Sequence, residues 1–466
     1  MQLRNAVLTI GISSCLTILS SCQKDVTEKQ VEPPAPAPPV VVQPAPLSDA
    51  KLKDSSLIYA REIYLWYKQI PAGFNAQSYT DPNTMMTALR AYSTEPGNTA
   101  AVDRWSYAMK KTEWDNLSMG ISAAAEPTAD DFGLNVFFRA QSDLRVRSVE
   151  RESPAGLAGI RRGWRITKIN GSSSINTGNV DFVTNGVYES SASTFTFQKP
   201  DGTTIDISLK SVSYQHQPIV LDSVYTVATK KVGYLVFNSF LGDTARMYSD
   251  FQRVFNRFSQ QQVNELVIDL RYNGGGYVNV QEKLANYLVN AGNNGQVMMS
   301  EQFNDKNSRY NTTTRFSKLG SVNVSKVSFI VSSSTASASE LLINNLKPYM
   351  DVRLVGPSKT HGKPVGFFPV PVGDWYIFPV SFRSVNKLGE GNYFNGIALN
   401  NQVADGIDKD WGDRNESALA FILNGISSGS FRVGTSEASV NPEIEAVNEK
   451  LVGNAFKGTI DTRRMF

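Results

Sequence analysis

The chain has 466 residues, of which 41% are hydrophobic and 19% are charged. That length accommodates two or three globular domains, and the composition excludes a disordered or fibrous protein. The 46 basic and 43 acidic residues leave a net charge of only +3. Because no long block of like charge is present, we expect no nucleic-acid partner.

The N-terminus has the pattern of an export signal. One basic residue, Arg4, precedes an apolar stretch from Ala6 to Leu19, which is shorter than the roughly 20 residues that a membrane-spanning helix needs. The following Leu-Ser-Ser-Cys sequence, which ends at Cys22, resembles a bacterial lipobox. We therefore predict a signal peptide over residues 1–21 and a lipidated Cys22, with an ordinary signal peptide as the alternative.

Lipidation of Cys22 implies a membrane anchor and a place in the cell envelope as an outer-membrane lipoprotein. The next residues, Gln23 to Asp25, resemble the short acidic tract of some Bacteroidetes lipoproteins displayed at the surface. The periplasmic face and the cell surface both stay open. Residues 22–49 form the predicted linker, because the proline-rich stretch from Val31 to Pro46 favours extended polyproline II.

Residues 50–119 predict a helical N-terminal domain. Apolar residues recur at helical spacing over Ser55 to Gln69, and a second helix is predicted over Pro82 to Tyr92 after the capping residue Asp81.

Residues 120–212 predict a β module, because short alternating strands are separated by turn signals such as Asn170-Gly171. Within it, the segment from Asp143 to Ser172 resembles a PDZ domain. That resemblance implies that Phe132, Gly133 and Leu134 form a loop that binds a peptide carboxylate, and that the strand from Leu134 to Phe138 pairs with an extended peptide. The alternative is a module used only for packing or gating.

Residues 213–430 alternate between strand and helix patterns, which predicts a parallel-rich sheet covered by helices. The predicted elements are a strand over Val263–Leu270, a helix over Val278–Asn290, a strand over Lys326–Ser332, a helix over Ser337–Tyr349 and a strand over Val352–Gly356. In such folds ligands bind at the carboxyl ends of the strands, where a glycine turn and a serine loop both fall here.

Three motifs in this region carry the chemistry. A loop from Ser332 to Glu340 follows a buried strand, Thr360-His-Gly-Lys363-Pro-Val-Gly366 follows the next strand, and the turn Asp269 to Gly276 ends an earlier one. On its own, Ser337-x-x-Glu340 is equally a helix capping box. Together the motifs resemble the C-terminal processing family of Ser/Lys peptidases, although the lysine stands one residue further from the serine than in its commonest members.

The resemblance implies a crotonase/ClpP-like peptidase core with Ser337 as nucleophile and Lys363 as base. A neutral lysine requires a pKa lowered by burial. The N–H groups of Ala338 and of Gly275 or Gly276 would form the oxyanion hole.

Two residues depart from the family pattern. Many members have a glutamine where this chain has Phe367, so the group that orients Lys363 is not identified by the sequence. His361 occupies a position usually filled by an aromatic residue and is the weaker candidate for the base.

We therefore predict a serine endopeptidase of the C-terminal processing type, in an α+β and α/β multidomain fold, acting on unfolded or tail-exposed proteins. The sequence predicts no metal site and no cofactor. One alternative is a catalytically inactive peptide-binding scaffold. The other is a hydrolase of small esters or amides, but this sequence lacks the Gly-x-Ser-x-Gly elbow that such enzymes have. Residues 431–466 form a C-terminal tail in which one helix is predicted, from Asn441 to Leu451. The sequence indicates neither the role of this tail nor the oligomeric state.

Overall fold

The structure, a computed structural model, describes residues 47–119, 131–431, 441–452 and 458–461. The predicted signal peptide, Cys22 and most of the linker lie outside the described residues. Within the described ranges, no helix combines the length and apolarity needed to cross a membrane.

The described residues contain helices and strands in the following order along the chain. The helices are α1 (Asp49–Ile63), α2 (Pro82–Leu89), α3 (Lys111–Met119), α4 (Pro154–Leu157), α5 (Val180–Thr184), α6 (Thr244–Gln260), α7 (Val278–Leu288), α8 (Ala338–Leu346), α9 (Ser417–Ser428) and α10 (Pro442–Val452). The strands are β1 (Tyr107–Lys110), β2 (Leu134–Ala140), β3 (Asp143–Val149), β4 (Arg165–Ile169), β5 (Ala192–Gln198), β6 (Thr204–Lys210), β7 (Ile219–Val227), β8 (Lys230–Phe237), β9 (Glu265–Asp269), β10 (Gly275–Tyr277), β11 (Val297–Phe303), β12 (Thr312–Arg315), β13 (Lys326–Ile330), β14 (Asp351–Gly356), β15 (Val365–Gly366), β16 (Val370–Val372), β17 (Trp375–Phe378), β18 (Phe382–Asn386), β19 (Asn401–Gln402) and β20 (Gly458–Ile460).

The first helix begins earlier than the sequence pattern indicates. Ser48 is the N-cap, its Oγ accepts from the Lys51 N–H at 3.5 Å, and the helix ends at Ile63. The predicted range Ser55 to Gln69 was therefore wrong at both ends, because the aromatic run after Ile63 leaves the helix and forms a short 3-10 turn over Tyr67–Gln69. The second helix begins at Pro82 as predicted.

The N-terminal helices share a hydrophobic core with the later part of the chain. Tyr64 and Met85 are fully buried in the same cluster as Phe378. Strand β1 also pairs antiparallel with β17, and the Leu65 N–H donates to the Val380 carbonyl at 2.8 Å. The helical segment is thus held against the α/β core by both backbone pairing and apolar burial.

The predicted β module is a five-stranded antiparallel sheet in the order β2-β3-β4-β5-β6, with its own hydrophobic core. Leu134, Val136 and Phe138 point inward and are buried, while the residues between them are half-buried, which is the period-2 pattern of a strand with one covered face. Strand β2 lies at the edge of this sheet, so one side of its backbone is unpaired by strands.

The α/β core contains a six-stranded sheet in the order β19-β14-β13-β9-β8-β7. All neighbouring pairs are parallel except the β7–β8 hairpin. The predicted parallel-rich sheet is therefore confirmed, and the carboxyl ends of β9, β13 and β14 meet at one edge.

A buried arginine holds the turn after β9. The Arg271 guanidinium donates to Asp269 Oδ2, Asp405 Oδ1 and Glu416 Oε1, each at 2.7 Å. Burial alone would raise the pKa of Glu416, but the Arg271 charge outweighs it and holds that pKa below its usual value. The turn that leads into β10 is thus fixed by a charged network rather than by loop packing.

We expect Arg271→Leu to lower the free energy of unfolding by about 3–5 kcal/mol, because it removes the ion-pair partner of the buried Asp269 and Glu416 carboxylates. Urea unfolding followed by circular dichroism measures this loss. Arg253→Ala removes an exposed helix arginine whose guanidinium is 2.9 Å from Asp222 and should cost under about 1 kcal/mol. Equal losses in the two variants would contradict the structural role of Arg271.

Candidate active site

The serine loop places Ser337 at the first turn of α8 in a strained conformation. Ser337 is the N-cap residue with φ +61° and ψ −112°, and its side chain is fully buried. A non-glycine residue in this region costs of order 1–3 kcal/mol, which persists only where the surroundings impose it. The turn directs Ser337 Oγ toward the amino end of α8, where backbone N–H groups favour developing negative charge.

The Glu340 carboxylate joins the serine loop to the lysine loop. Its Oε2 accepts from the Ser337 N–H and from the Lys363 N–H, each at 2.8 Å. Its Oε1 accepts from Thr360 Oγ1 at 2.5 Å and from the Gly362 N–H at 2.6 Å. The capping interaction expected of Glu340 is present, and the same carboxylate also fixes the lysine motif.

Lys363 lies in an apolar pocket. The residue is fully buried, and its Nζ is 3.9 Å from the centroid of the Phe367 ring and 5.6 Å from that of Trp105. Burial holds the pKa of Lys363 well below its usual value, although the charges of Asp103 and Glu340 oppose this shift. The environment therefore favours the neutral amine, which is the form that can accept a proton.

The glycine turn approaches the serine closely. Gly275 and Gly276 have φ values of +104° and +142°. A Cβ placed on Gly275 would lie 2.9 Å from Ser337 Cβ and 3.0 Å from the Ala338 nitrogen, so no larger residue fits there. Gly275 and Ala338 thus lie beside Ser337, whereas Gly276 packs against Phe240. The Gly275 N–H donates to Asn273 Oδ1 at 2.9 Å.

His361 is engaged elsewhere. Its Nε2 accepts a hydrogen bond from Trp105 Nε1 at 3.2 Å, and its backbone N–H donates to the Thr335 carbonyl at 2.9 Å. These contacts orient the loop that carries Lys363 and commit one imidazole nitrogen to an indole, which favours Lys363 over His361 as the base.

Comparison with known sequences matches two segments of the chain. Residues 231–401 match the model of peptidase family S41, and residues 58–107 match that of the peptidase S41 N-terminal domain. Over these two segments the chain is similar to peptidase family S41. The first segment contains Ser337, Lys363 and the glycine turn, so the family resemblance drawn from these motifs is confirmed.

Curated relatives of the chain are named as proteases. The "Probable CtpA-like serine protease" of Staphylococcus aureus (strain N315) is 29% identical over 266 residues, which are 56% of this chain and 49% of the relative. The "Carboxy-terminal processing protease CtpB" of Bacillus subtilis (strain 168) is 28% identical over 278 residues, 58% of this chain and 54% of the relative. The chain thus matches about half the length of these relatives.

The fold of the chain is also found in a solved structure. A Bacteroides fragilis protein assigned to the S41 proteases superposes with a TM-score of 0.66 at 23% identity, covering 80% of this chain and 97% of that chain. At this identity the shared property is the fold.

The predicted carboxylate-binding loop lies beside β2. Phe132 is buried, and Gly133 has φ +72° with its N–H donating to Asp131 Oδ1 at 2.6 Å. Leu134 begins β2, as predicted. Further along this edge, the Val136 N–H donates to Tyr188 Oη at 3.0 Å. The Gly133 and Val136 N–H groups are thus hydrogen-bonded within the chain.

Sequence reasoning missed several parts of this candidate site. Asp103, which accepts from Tyr64 Oη at 2.8 Å, lies in a segment with no recognisable motif. Trp105 faces Lys363 from the N-terminal segment, far away in sequence. Thr459 Oγ1 is hydrogen-bonded to Ser337 Oγ, although the three residues of β20 carry no periodic signal. Of these surrounding residues, Glu340 alone was indicated by the sequence, through its capping-box position three residues after Ser337.

No group of three or more His, Cys, Asp or Glu side chains that could hold a metal ion occurs among the residues that the structure describes.

We expect Lys363→Met to stabilise the chain at neutral pH. An unfolded lysine stays protonated below pH of about 10.4, whereas burial favours the neutral form in the native state. Since the unfolded state then binds more protons, the native state becomes more stable as pH rises toward that value. The gain in the free energy of unfolding from Lys363→Met should therefore become smaller as the pH rises from about 7 to about 10. Thermal unfolding of both chains at several pH values measures this difference. Destabilisation at neutral pH would instead show a charged, paired lysine.

Glu340→Gln should lower the free energy of unfolding by about 2–4 kcal/mol, because its amide NH₂ would face N–H or O–H donors that now point at a carboxylate oxygen. Chemical denaturation monitored by tryptophan fluorescence gives the difference. Glu265→Gln, a half-buried glutamate 3.7 Å from Lys230 Nζ, serves as the matched control and should change stability by under about 1 kcal/mol. A loss no larger than in the control would rule out the bridging role of Glu340.

Proposed function

We propose that the chain is a serine endopeptidase of the C-terminal processing type, with Ser337 as nucleophile and Lys363 as general base. The observation that carries this proposal is the pair of buried residues held in one site by Glu340, with a lysine whose surroundings favour the neutral amine. A serine hydroxyl needs such a base, because it is a weak nucleophile until its proton is removed.

In the proposed reaction, Ser337 Oγ attacks the scissile carbonyl carbon while its proton passes to Lys363 Nζ. The carbonyl oxygen becomes an oxyanion near the Ala338 and Gly276 N–H groups. The protonated lysine then gives its proton to the leaving amine as the C–N bond breaks, which leaves an acyl-enzyme on Ser337. Water, activated by the neutral lysine in turn, releases the second product and restores the serine.

The substrates we propose are unfolded or tail-exposed proteins. Their C-terminal tails would enter beside the β2 edge, in the PDZ-like manner that the sequence predicts for Phe132, Gly133 and Leu134. A lipid anchor at Cys22 would hold the enzyme in the cell envelope, at the outer membrane, where exported proteins are the available substrates.

A non-catalytic binding scaffold with the same fold is less well supported. Such a protein has no need of a fully buried lysine, since burying an ammonium group is costly unless it serves a purpose. The depressed lysine pKa instead matches a group kept ready to accept a proton.

The test is cleavage of an unfolded protein with an apolar C-terminus by the full chain. Ser337→Ala and Lys363→Ala should each reduce kcat/KM by at least about 1,000-fold, because each removes one member of a pair that acts together. The matched controls Ser308→Ala and Lys387→Ala, both exposed, should retain full activity. Undiminished cleavage by Lys363→Ala would refute the Ser/Lys mechanism, and tight tail binding without cleavage by the parent chain would favour the scaffold.

A further inference from the structure

The C-terminal helix α10 covers the exposed edge of β2. Asn448 Oδ1 accepts from the Phe138 N–H at 2.7 Å, and Asn448 Nδ2 donates to the Phe138 carbonyl at 2.9 Å. One side chain therefore supplies the donor and acceptor that a neighbouring strand would offer. Leu451 is buried in the hydrophobic core of the β module, with Ile444 and Val447 packed against it. The edge predicted to receive a peptide is thus occupied by the chain itself.

The same helix reaches the serine loop. Glu445 Oε1 accepts from Ser333 Oγ at 3.1 Å, four residues before Ser337 in the sequence. Helix α10 therefore extends from the edge of the β module to the loop that carries the proposed nucleophile, which is the path that a captured tail would follow to Ser337.

Strand β20 then lies across the site in extended conformation. It pairs parallel with β10, and the Gly458 N–H donates to the Gly274 carbonyl at 3.0 Å. On its other side, the Phe367 N–H donates to the Thr459 carbonyl at 2.9 Å, and the Asp461 N–H donates to the Phe367 carbonyl at 3.1 Å. Main-chain pairing on both sides is how a peptide of any sequence is held in a strand-shaped site.

Thr459 contacts the proposed nucleophile through its side-chain hydroxyl. Its Oγ1 is hydrogen-bonded to Ser337 Oγ, while its carbonyl accepts from the Phe367 N–H at 2.9 Å. Thr459 and Ile460 are buried, with exposed fractions of 3% and 1%. A substrate carbonyl cannot reach Ser337 Oγ while Thr459 lies there.

We propose that α10 and β20 form an internal pseudosubstrate that occupies the peptide path from the β2 edge to Ser337 and competes with protein tails for it. This rests on the proposed peptidase function and adds its regulation. It also assigns the substrate strand a site between β10 and Phe367, parallel to β10. A substrate tail gains access by replacing the same main-chain hydrogen bonds, so the segment selects for tails that bind both the β2 edge and the cleft.

The competition is tested by weakening the segment in the full chain. Asn448→Ala removes two hydrogen bonds at the β2 edge, and Ile460→Asp introduces a charge at a buried position of β20. Each should lower KM for an unfolded protein substrate about tenfold at unchanged kcat. Glu443→Ala, on the exposed side of α10, is the control and should leave both constants unchanged. Unaltered KM in both variants, with native melting temperatures, would overturn the proposal.

Hydrogen exchange separates this proposal from the peptidase function, because it needs no turnover. In the Ser337→Ala chain, the Gly458 and Asp461 amides should be protected, and excess of a short peptide ending in Leu-Val-Val should speed their exchange. Displacement by the peptide in the Ser337→Ala chain would support the pseudosubstrate, whether or not the parent chain cleaves protein substrates. If the Gly458 and Asp461 amides stay protected while the peptide is bound at saturation, the peptide and the α10–β20 segment do not compete. That result would overturn the pseudosubstrate proposal whether or not the parent chain cleaves.

Discussion

The site depends on one buried carboxylate. Glu340 accepts four hydrogen bonds, one from the serine loop and three from the lysine loop. Burial raises the pKa of Glu340, and these hydrogen bonds oppose that shift. Because a buried acceptor is stable only when its donors are all in place, the two loops are fixed relative to each other and not merely near each other. The proposed Ser337–Lys363 pair follows from that constraint.

The apolar surroundings of Lys363 come from distant parts of the chain. Phe367 follows it closely in sequence, whereas Trp105 belongs to the N-terminal segment, which is bound to the core through β1 and β17. The N-terminal helices therefore have a chemical consequence beyond stability, since their packing excludes water from the lysine pocket. The rings of Phe367 and Trp105 both face the Lys363 amine, at 3.9 Å and 5.6 Å from Nζ to the ring centroids.

Much of the core could be predicted because its signals are local. Continuous apolar runs marked β9 and β13, and the glycine and serine motifs that follow them indicated the family. The boundaries of α1 were missed because aromatic residues after Ile63 continue the apolar pattern although the helix has ended. Helix α10 was predicted almost to the residue, but its role was not, since an amphipathic pattern identifies a buried face and not the surface that buries it.

The sequence by itself determined the proposal for the site: which serine, which lysine and which glycines, each indicated by a short motif that follows a predicted strand. Only the tertiary structure decided what surrounds them. Asp103, Trp105 and Thr459 reach the site from segments more than 70 residues away from Ser337 or Lys363. The burial and the pKa of Lys363, and the contact of Thr459 with Ser337, depend on such long-range packing. The residues that provide it show no periodic pattern in the sequence.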